Sequence, residues 1–247
     1  MTPSDSPPKR NRRRASELAE AGAIELPDYF GHRQRLRERF MTGGADPLPD
    51  YELLELLLFM AIPRTDVKPL AKKLLDRFKT FADVISAPVE RLEEFGASDN
   101  TIAALKIVEA AALRLARARV IGKPALSSWD ALLDYCASAM SRLEGEEFRV
   151  LFLDRKNVLI ADEVLQKGTV DHTPVYPREV LKRALELSAS ALILVHNHPS
   201  GDPTPSRGDI MMTKEVAAAA KSLKIEVHDH IVIGRGKHAS FKALGLL

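Results

Sequence analysis

The chain has 247 residues, of which 45% are hydrophobic and 28% are charged, a balance typical of a globular protein with one large or two small domains. Its 36 Lys and Arg residues nearly cancel its 34 Asp and Glu residues, so the net charge of +2 neither requires nor excludes a nucleic-acid partner. A single cysteine excludes an intrachain disulfide, and the longest apolar stretch, LLELLLFMAI, is too short to cross a bilayer, so we expect a cytoplasmic protein with no membrane partner.

Residues 1–29 read as a disordered basic tail. The segment is rich in Pro, Ser and charged residues, a composition that buries too little apolar surface to offset the entropy of ordering the chain. It has no apolar core segment, so we expect no secretory signal here. A basic cluster within the tail is a candidate DNA contact, and it consists of Lys9, Arg10, Arg12, Arg13 and Arg14.

Residues 30–119 carry helical periodicity throughout and predict a small all-helical domain. The segments DYELLELLLFMAI and DVKPLAKKLLDRF each place leucines on one broad face. A longer amphipathic helix follows, with Ser98 as its predicted N-cap. Its apolar stripe is predicted to contain Ile102, Leu105, Val108, Ala112 and Leu115.

A break near VIGKPALSSW separates this part from a second domain, predicted over residues 125–247. Ser127 and Asp130 form a Ser-x-x-Asp pair that predicts the cap of the next helix, and Cys136 lies on that helix's apolar stripe, as a buried structural thiol would. After Gly145 the order of strand and helix patterns is β, β, α, β, α, β. This order predicts a mixed α/β domain around a central sheet. Leu185 is predicted to be buried on the helix YPREVLKRALELSAS, the first helix after Gly145.

The segment ALILVHNHPSGDPTPSRGDIMMT, residues 191–213, carries the chemistry of the chain. His196 and His198 end an apolar strand, and because side chains alternate along a strand, both imidazoles point to one face. Two such imidazoles are a common start to a zinc site. Asp209 is the nearest good candidate for a third ligand, and the intervening loop is stiffened by three prolines.

Ser206 and Asp209 also form a Ser-x-x-Asp capping box ahead of a helical run. The cap and the metal hypotheses are compatible. An Asp in the first turn of a helix is held ionised by the helix dipole, and a metal ligand must be ionised.

These motifs resemble a known family. HNHPSGDPTPSRGD looks like the JAMM signature of metalloproteases with the MPN fold, namely His-x-His-Pro followed by Ser-x-x-Asp. FLDRKN, KGTV, YPREV, ALILVHNHPSGDPTPS and DHIVIG, in this order, resemble the bacterial RadC family, and GHRQRLRERF with the helices after it is similar to that family's N-terminal domain. The resemblance covers about residues 30–247. It implies a JAMM/MPN-like (cytidine-deaminase-like) α/β domain preceded by a helix-hairpin-helix-like domain.

The resemblance also implies a site. One zinc per chain is bound by His196, His198 and Asp209, with water in the fourth position, as in catalytic zinc sites. Ser206 corresponds to the JAMM serine, whose hydroxyl stabilises an oxyanion. The family further requires a glutamate on an earlier strand as the general base.

The identity of this base stays open at the level of sequence. Glu146 is favoured because related sequences tend to show Glu-x-Phe at this point, and alternation lets only one of Glu146 and Glu147 face the metal. Glu163 and Glu179 are the further alternatives.

A second His-x-His, His228 and His230, precedes the last strand pattern without a following Pro or Ser-x-x-Asp. We interpret His230 and its neighbour Asp229 as residues that support the first site or pack beside it.

Two functions follow from these patterns. The first is a zinc-dependent, metallopeptidase-like hydrolase that acts on a peptide or isopeptide bond, and whose own substrate the sequence does not name. The second is a DNA-associated repair or recombination accessory protein with a non-catalytic or nuclease-type metal site. For the second function, Arg33, Arg35, Arg37 and Arg39 supply positive charge, but EEFGAS has only Gly96 where helix-hairpin-helix modules have two glycines.

Overall fold

The structure is a computed structural model that describes residues 31–168 and 175–247. The predicted tail over residues 1–29 lies outside the described residues. The first part of the described chain is entirely helical, as the periodicity predicts, and its helices are α1 (His32–Gly43), α2 (Asp50–Ala61), α3 (Lys68–Phe78), α4 (Phe81–Ser86), α5 (Val89–Glu94) and α6 (Asp99–Ala118). No helix in the described ranges is both long enough and apolar enough to cross a membrane.

These helices surround one apolar cluster that extends from Leu36 to Leu105. Ser98 caps α6 as predicted, since its side chain accepts a hydrogen bond from the backbone N–H of Thr101. The predicted stripe of α6 is wrong at Ala112, which is exposed, and at Leu115, which is 71% exposed. The reason is the length of α6, because its last turns extend beyond the cluster that buries Ile102 and Leu105.

The second part of the chain is a mixed α/β unit. Its elements are α7 (Trp129–Met140), β1 (Glu147–Leu153), β2 (Leu159–Lys167), α8 (Pro177–Glu186), β3 (Ala191–Asn197), α9 (Arg207–Ser222), β4 (Glu226–Ile233) and β5 (His238–Ser240). The sheet order is β2-β1-β3-β4-β5, in which β3 and β4 are parallel and the other neighbours are antiparallel. The predicted central mixed sheet is confirmed, and β5 is an additional short strand.

Helices cover both faces of this sheet. Leu151, Ile193 and Val195 point to the side of α7, whereas Phe148 and Leu194 point to the side of α8 and α9. The strands β1 and β3 therefore have apolar residues on both faces, as strands in the centre of a covered sheet do.

Two local predictions in this part are wrong. Ser127 does not cap α7, because a 3₁₀ turn over Leu126–Ser128 precedes the helix and the Ser127 hydroxyl donates instead to the carbonyl of Pro124. Leu185 is 55% exposed, because the buried face of α8 consists of Val180, Leu181 and Ala184.

Cys136 is fully buried on α7, as predicted. Burial, together with the charge of Asp162, raises the pKa of its thiol to about 12. The thiol therefore stays protonated, and a protonated thiol is a poor nucleophile and metal ligand.

Candidate metal centre

The end of β3 brings two imidazoles together. Because of the strand alternation, His196 and His198 lie on the same face of the sheet, and their Nε2 atoms are 3.0 Å apart. His196 is 5% exposed. The backbone N–H of His198 donates to the carbonyl of Ile233 on β4, so the chain stays fixed one residue beyond the strand.

Asp209 reaches the two histidines from the first turn of α9. Its Oδ1 lies 3.4 Å from Nε2 of His196, and its Oδ2 lies 3.5 Å from Nε2 of His198. We call these three residues the His–His–Asp group. Within residues 31–168 and 175–247, it is the one group of three or more His, Cys, Asp and Glu side chains that could hold a metal ion.

The predicted capping box is formed. The backbone N–H of Ser206 donates to Oδ2 of Asp209 over 2.7 Å, and the backbone N–H of Asp209 donates to the Ser206 hydroxyl over 3.1 Å. The cap thus orients the carboxylate toward the histidines. Ser206 itself is exposed, and its hydroxyl oxygen accepts the amide, which leaves its proton free to point elsewhere.

The electrostatics of the group favour an anionic carboxylate. Burial opposes the ionisation of Asp209, but the close approach of the His196 and His198 imidazoles and the hydrogen bond from Ser206 lower the pKa of its carboxyl far below the ordinary value. The nearby carboxylate of Asp209 raises the pKa of His198, burial opposes this rise, and the Asp202 carbonyl and the charge of Glu146 add to it. Glu146 therefore lies close enough to His198 to act on it electrostatically.

The remote ring nitrogens have hydrogen-bond partners of their own. Nδ1 of His198 lies 2.8 Å from the carbonyl oxygen of Asp202, and Nδ1 of His196 lies 2.8 Å from Nε2 of His230. Both rings thereby turn Nε2 toward Asp209. Two imidazole nitrogens and one carboxylate oxygen form the donor set of many catalytic zinc sites, so the residues present fit this metal.

The four candidate glutamates occupy different surroundings. Glu147 is on the opposite face of β1 and forms an ion pair with Arg149 at 3.0 Å. Glu163 is on the edge strand β2, where Arg183 approaches both of its oxygens within 2.7 Å. Glu179 is exposed on α8. Glu146 takes no part in these ion pairs and lies directly before β1, two residues from Phe148, which pairs with His196.

Sequence reasoning did not identify Asn197, Asp202 or Thr213. Asn197 is 1% exposed, accepts the N–H of Glu147 at 2.8 Å and donates to the carbonyl of Gly145 at 3.0 Å. It therefore holds both neighbours of Glu146 against β3. Only its position between the two histidines could have indicated this. Asp202 contacts His198 through its backbone carbonyl, which its residue type does not indicate. Thr213 is within α9, and no motif in the sequence distinguishes it from the other residues of that helix.

The second His-x-His divides between two environments. His228 lies 2.6 Å from Oδ1 of Asn157 and is not in the His–His–Asp group. Asp229 is buried and accepts hydrogen bonds from the backbone N–H groups of His230 and Lys242 and from the hydroxyl of Ser240, which fixes the turn after β5. His230 lies directly behind His196.

The arginines of α1 are partly engaged in structure. Arg33 donates to the carbonyl of Ile62 at the end of α2, and Arg39 pairs with Glu52 at 2.9 Å. Arg35 and Arg37 are exposed. Gly96, with a φ of +90°, turns the chain between α5 and α6.

Comparison with known proteins places these residues in a family. Residues 126–246 match the family model described as the RadC-like JAB domain. A UPF0758 protein of Rhodobacter capsulatus is 65% identical over 213 residues, which are 86% of this chain and 100% of that protein. A UPF0758 protein of Ruegeria pomeroyi is 63% identical over 224 residues, which are 90% of this chain and 100% of that protein.

Proposed function

The chain belongs to the RadC family, whose JAB domain is of the JAMM metal-dependent hydrolase type, and on this basis we propose that it is a zinc-dependent hydrolase that cleaves an amide bond in a peptide or isopeptide. The observation that carries this proposal is the convergence of Nε2 of His196, Nε2 of His198 and a carboxylate oxygen of Asp209. These three atoms would hold the metal, one ion per chain.

The side chains around the group have complementary roles in this proposal. Bound zinc supplies Lewis acidity, which polarises a carbonyl and lowers the pKa of a water ligand to about 7. The carboxylate of Glu146 accepts the proton of the attacking water and later passes it to the leaving amine. The hydroxyl of Ser206 donates a hydrogen bond to the oxyanion that develops on the substrate.

Zinc content tests the metal part of the proposal. We expect about one equivalent of zinc in the purified wild type and a loss of most of it in Asp209→Asn, because the amide is a poorer ligand than the carboxylate. Asp202→Asn is the matched control, since only the backbone carbonyl of Asp202 contacts His198. A wild type that takes up no zinc after dialysis against the metal would refute the proposal.

An activity screen tests the reaction. The zinc-loaded wild type and Glu146→Gln are compared on a fluorogenic peptide library, on isopeptide-linked dipeptides, and on branched and single-stranded DNA. Hydrolysis of an amide substrate by the wild type but not by Glu146→Gln supports the proposal.

The alternative is a DNA-associated protein with a non-catalytic or nuclease-type metal. It draws on the exposed Arg35 and Arg37 and predicts salt-sensitive DNA binding or cleavage instead.

A further inference from the structure

Two buried side chains, His230 and Thr213, continue a chain of hydrogen bonds from His196 to the backbone carbonyl of Asp209. Nδ1 of His196 lies 2.8 Å from Nε2 of His230, and Nδ1 of His230 lies 2.6 Å from the hydroxyl oxygen of Thr213. That hydroxyl lies 2.6 Å from the backbone carbonyl oxygen of Asp209. His230 and Thr213 are both 0% exposed, so no solvent competes for these bonds.

The direction of every bond in this chain follows from its last acceptor. A carbonyl oxygen only accepts, so the Thr213 hydroxyl donates its proton to Asp209 and offers a lone pair to His230. His230 must then carry its proton on Nδ1, which leaves a lone pair on Nε2. That lone pair accepts the N–H at Nδ1 of His196. Nε2 of His196, the atom that faces Asp209, therefore keeps its lone pair.

The surroundings of His230 keep it neutral, as this direction requires. Its ring stacks on Phe241, with centroids 4.5 Å apart, and meets Phe148 edge-on at 6.0 Å. The ring is 0% exposed, and an imidazolium without water around it is costly, so the neutral form is favoured. A neutral imidazole has one donor and one acceptor, which is what a chain with a fixed direction needs.

We propose that Thr213 and His230 are positioning residues that fix the tautomer of His196, so that Nε2 of His196 is held ready as a metal ligand. The inference rests on the metal site proposed above. The hydrogen-bond chain begins at His196 and ends at the backbone carbonyl of Asp209, so both of its ends belong to the His–His–Asp group. The third ligand's own backbone thus determines which nitrogen the first ligand presents.

The test removes the hydroxyl and keeps the shape. In Thr213→Val nothing fixes which nitrogen of His230 carries the proton, so the tautomer of His196 is no longer set. We expect the zinc affinity, measured in competition with a chromophoric chelator, to fall by about 10- to 100-fold, as is typical when a hydrogen bond to a metal ligand is lost. Thr213→Ser restores the hydroxyl and should recover most of this loss. Thr101→Val is the matched control, because Thr101 is equally buried but belongs to α6 in the helical part.

A second readout reports the tautomer directly. In metal-free wild type at about pH 8, ¹⁵N NMR of the imidazoles should find His196 protonated at Nδ1, and Thr213→Val should shift it toward Nε2. His230→Phe keeps a flat ring against Phe241 but has no acceptor, and it should weaken zinc binding as Thr213→Val does. A proton on Nε2 of His196 in the wild type overturns the inference, whether or not the variants fold.

The two proposals fail in different ways. If the wild type binds no zinc, the proposed function fails. If the wild type binds zinc and Thr213→Val binds it equally well, or if Thr213→Ser is as weak as Thr213→Val, only the positioning role fails.

Discussion

Phe148 on β1 lies directly opposite His196 on β3. Directly opposed residues of two antiparallel strands share a face, and alternation along β1 then assigns Glu146 to that face and Glu147 to the other. The ion pair of Glu147 with Arg149, which also contacts Asp162, agrees with this assignment. The register of two strands therefore selects one glutamate from a pair that is adjacent in the sequence.

The first prediction concerns this glutamate. Glu146→Gln should lower the rate of amide hydrolysis by about 10²- to 10⁴-fold, because an amide cannot accept the proton of the attacking water. Its zinc content should equal that of the wild type, since Glu146 is not a ligand in our proposal. Glu163→Gln, on the same face but paired with Arg183, is the control and should keep most of the activity. If Glu163→Gln loses the activity and Glu146→Gln keeps it, our choice of base is wrong.

Asn197 gives a second prediction. In Asn197→Asp the bond to the N–H of Glu147 can persist, but an oxygen replaces the amide that donates to Gly145. We expect a loss of about 1–3 kcal/mol in the free energy of unfolding, slower hydrolysis and nearly unchanged zinc affinity, because the change loosens the segment around Glu146 and not the ligands. Chemical denaturation and zinc titration of the same preparation separate these effects. Zinc affinity that falls as steeply as the rate would contradict this account.

Some features of the site depend on local sequence rules and others on how distant strands pair, and this difference explains what the sequence could predict. His196, His198 and Asp209 are close in the chain, and strand alternation and a helix cap suffice to bring them together, so their convergence follows from local rules. The choice among the glutamates depends on the register between β1 and β3, which the sequence does not encode locally. Likewise, the burial of Leu115 and Leu185 depends on where the core ends, which periodicity alone cannot reveal.

Ser206 supports a third prediction. Ser206→Ala removes the side-chain acceptor of the capping box and should cost about 1 kcal/mol of stability. In addition, hydrolysis should slow by about 10²- to 10³-fold at full zinc occupancy, because an oxyanion donor is lost. Ser98→Ala removes the comparable cap of α6, which is in the helical part of the chain, and should show the stability loss alone. Equal hydrolysis rates for the two variants would exclude Ser206 from catalysis.

The buried His230 makes the stability of the metal-free protein depend on pH. Burial, aided by the charge of His196, keeps the pKa of His230 well below that of an exposed histidine. Below about pH 6.5 the unfolded chain therefore binds a proton that the folded protein does not, so the free energy of unfolding falls as the pH falls, by at most about 1.4 kcal/mol per pH unit. Above about pH 6.5 His230 is neutral in both the folded and the unfolded protein, so its titration no longer lowers the free energy of unfolding.

This pH dependence is measured against His230→Phe. Urea unfolding, followed through the fluorescence of the single tryptophan, Trp129, is carried out from about pH 7 to about pH 5.5 with a chelator present. The difference in stability between wild type and variant should shrink over this range. A difference that stays constant would mean that folded His230 titrates normally.

The last prediction concerns the loop between the histidines and Asp209. Gly234, directly after β4, lies against this loop, and a Cβ atom at this position would collide with the carbonyl oxygen of Gly201 and approach Cδ of Pro203 to 2.9 Å. Since the neighbouring carbonyl of Asp202 accepts the hydrogen bond from His198, a displaced loop would also release this ring. Gly234→Ala should thus cost about 1–3 kcal/mol through overpacking and, unlike an ordinary core change, weaken zinc binding as well.

Gly43→Ala, whose Cβ would meet only Pro47 at 3.4 Å, should leave the zinc affinity unchanged. If Gly234→Ala loses stability but binds zinc like the wild type, the orientation of His198 does not depend on this loop, and Asp209 alone must hold the ring.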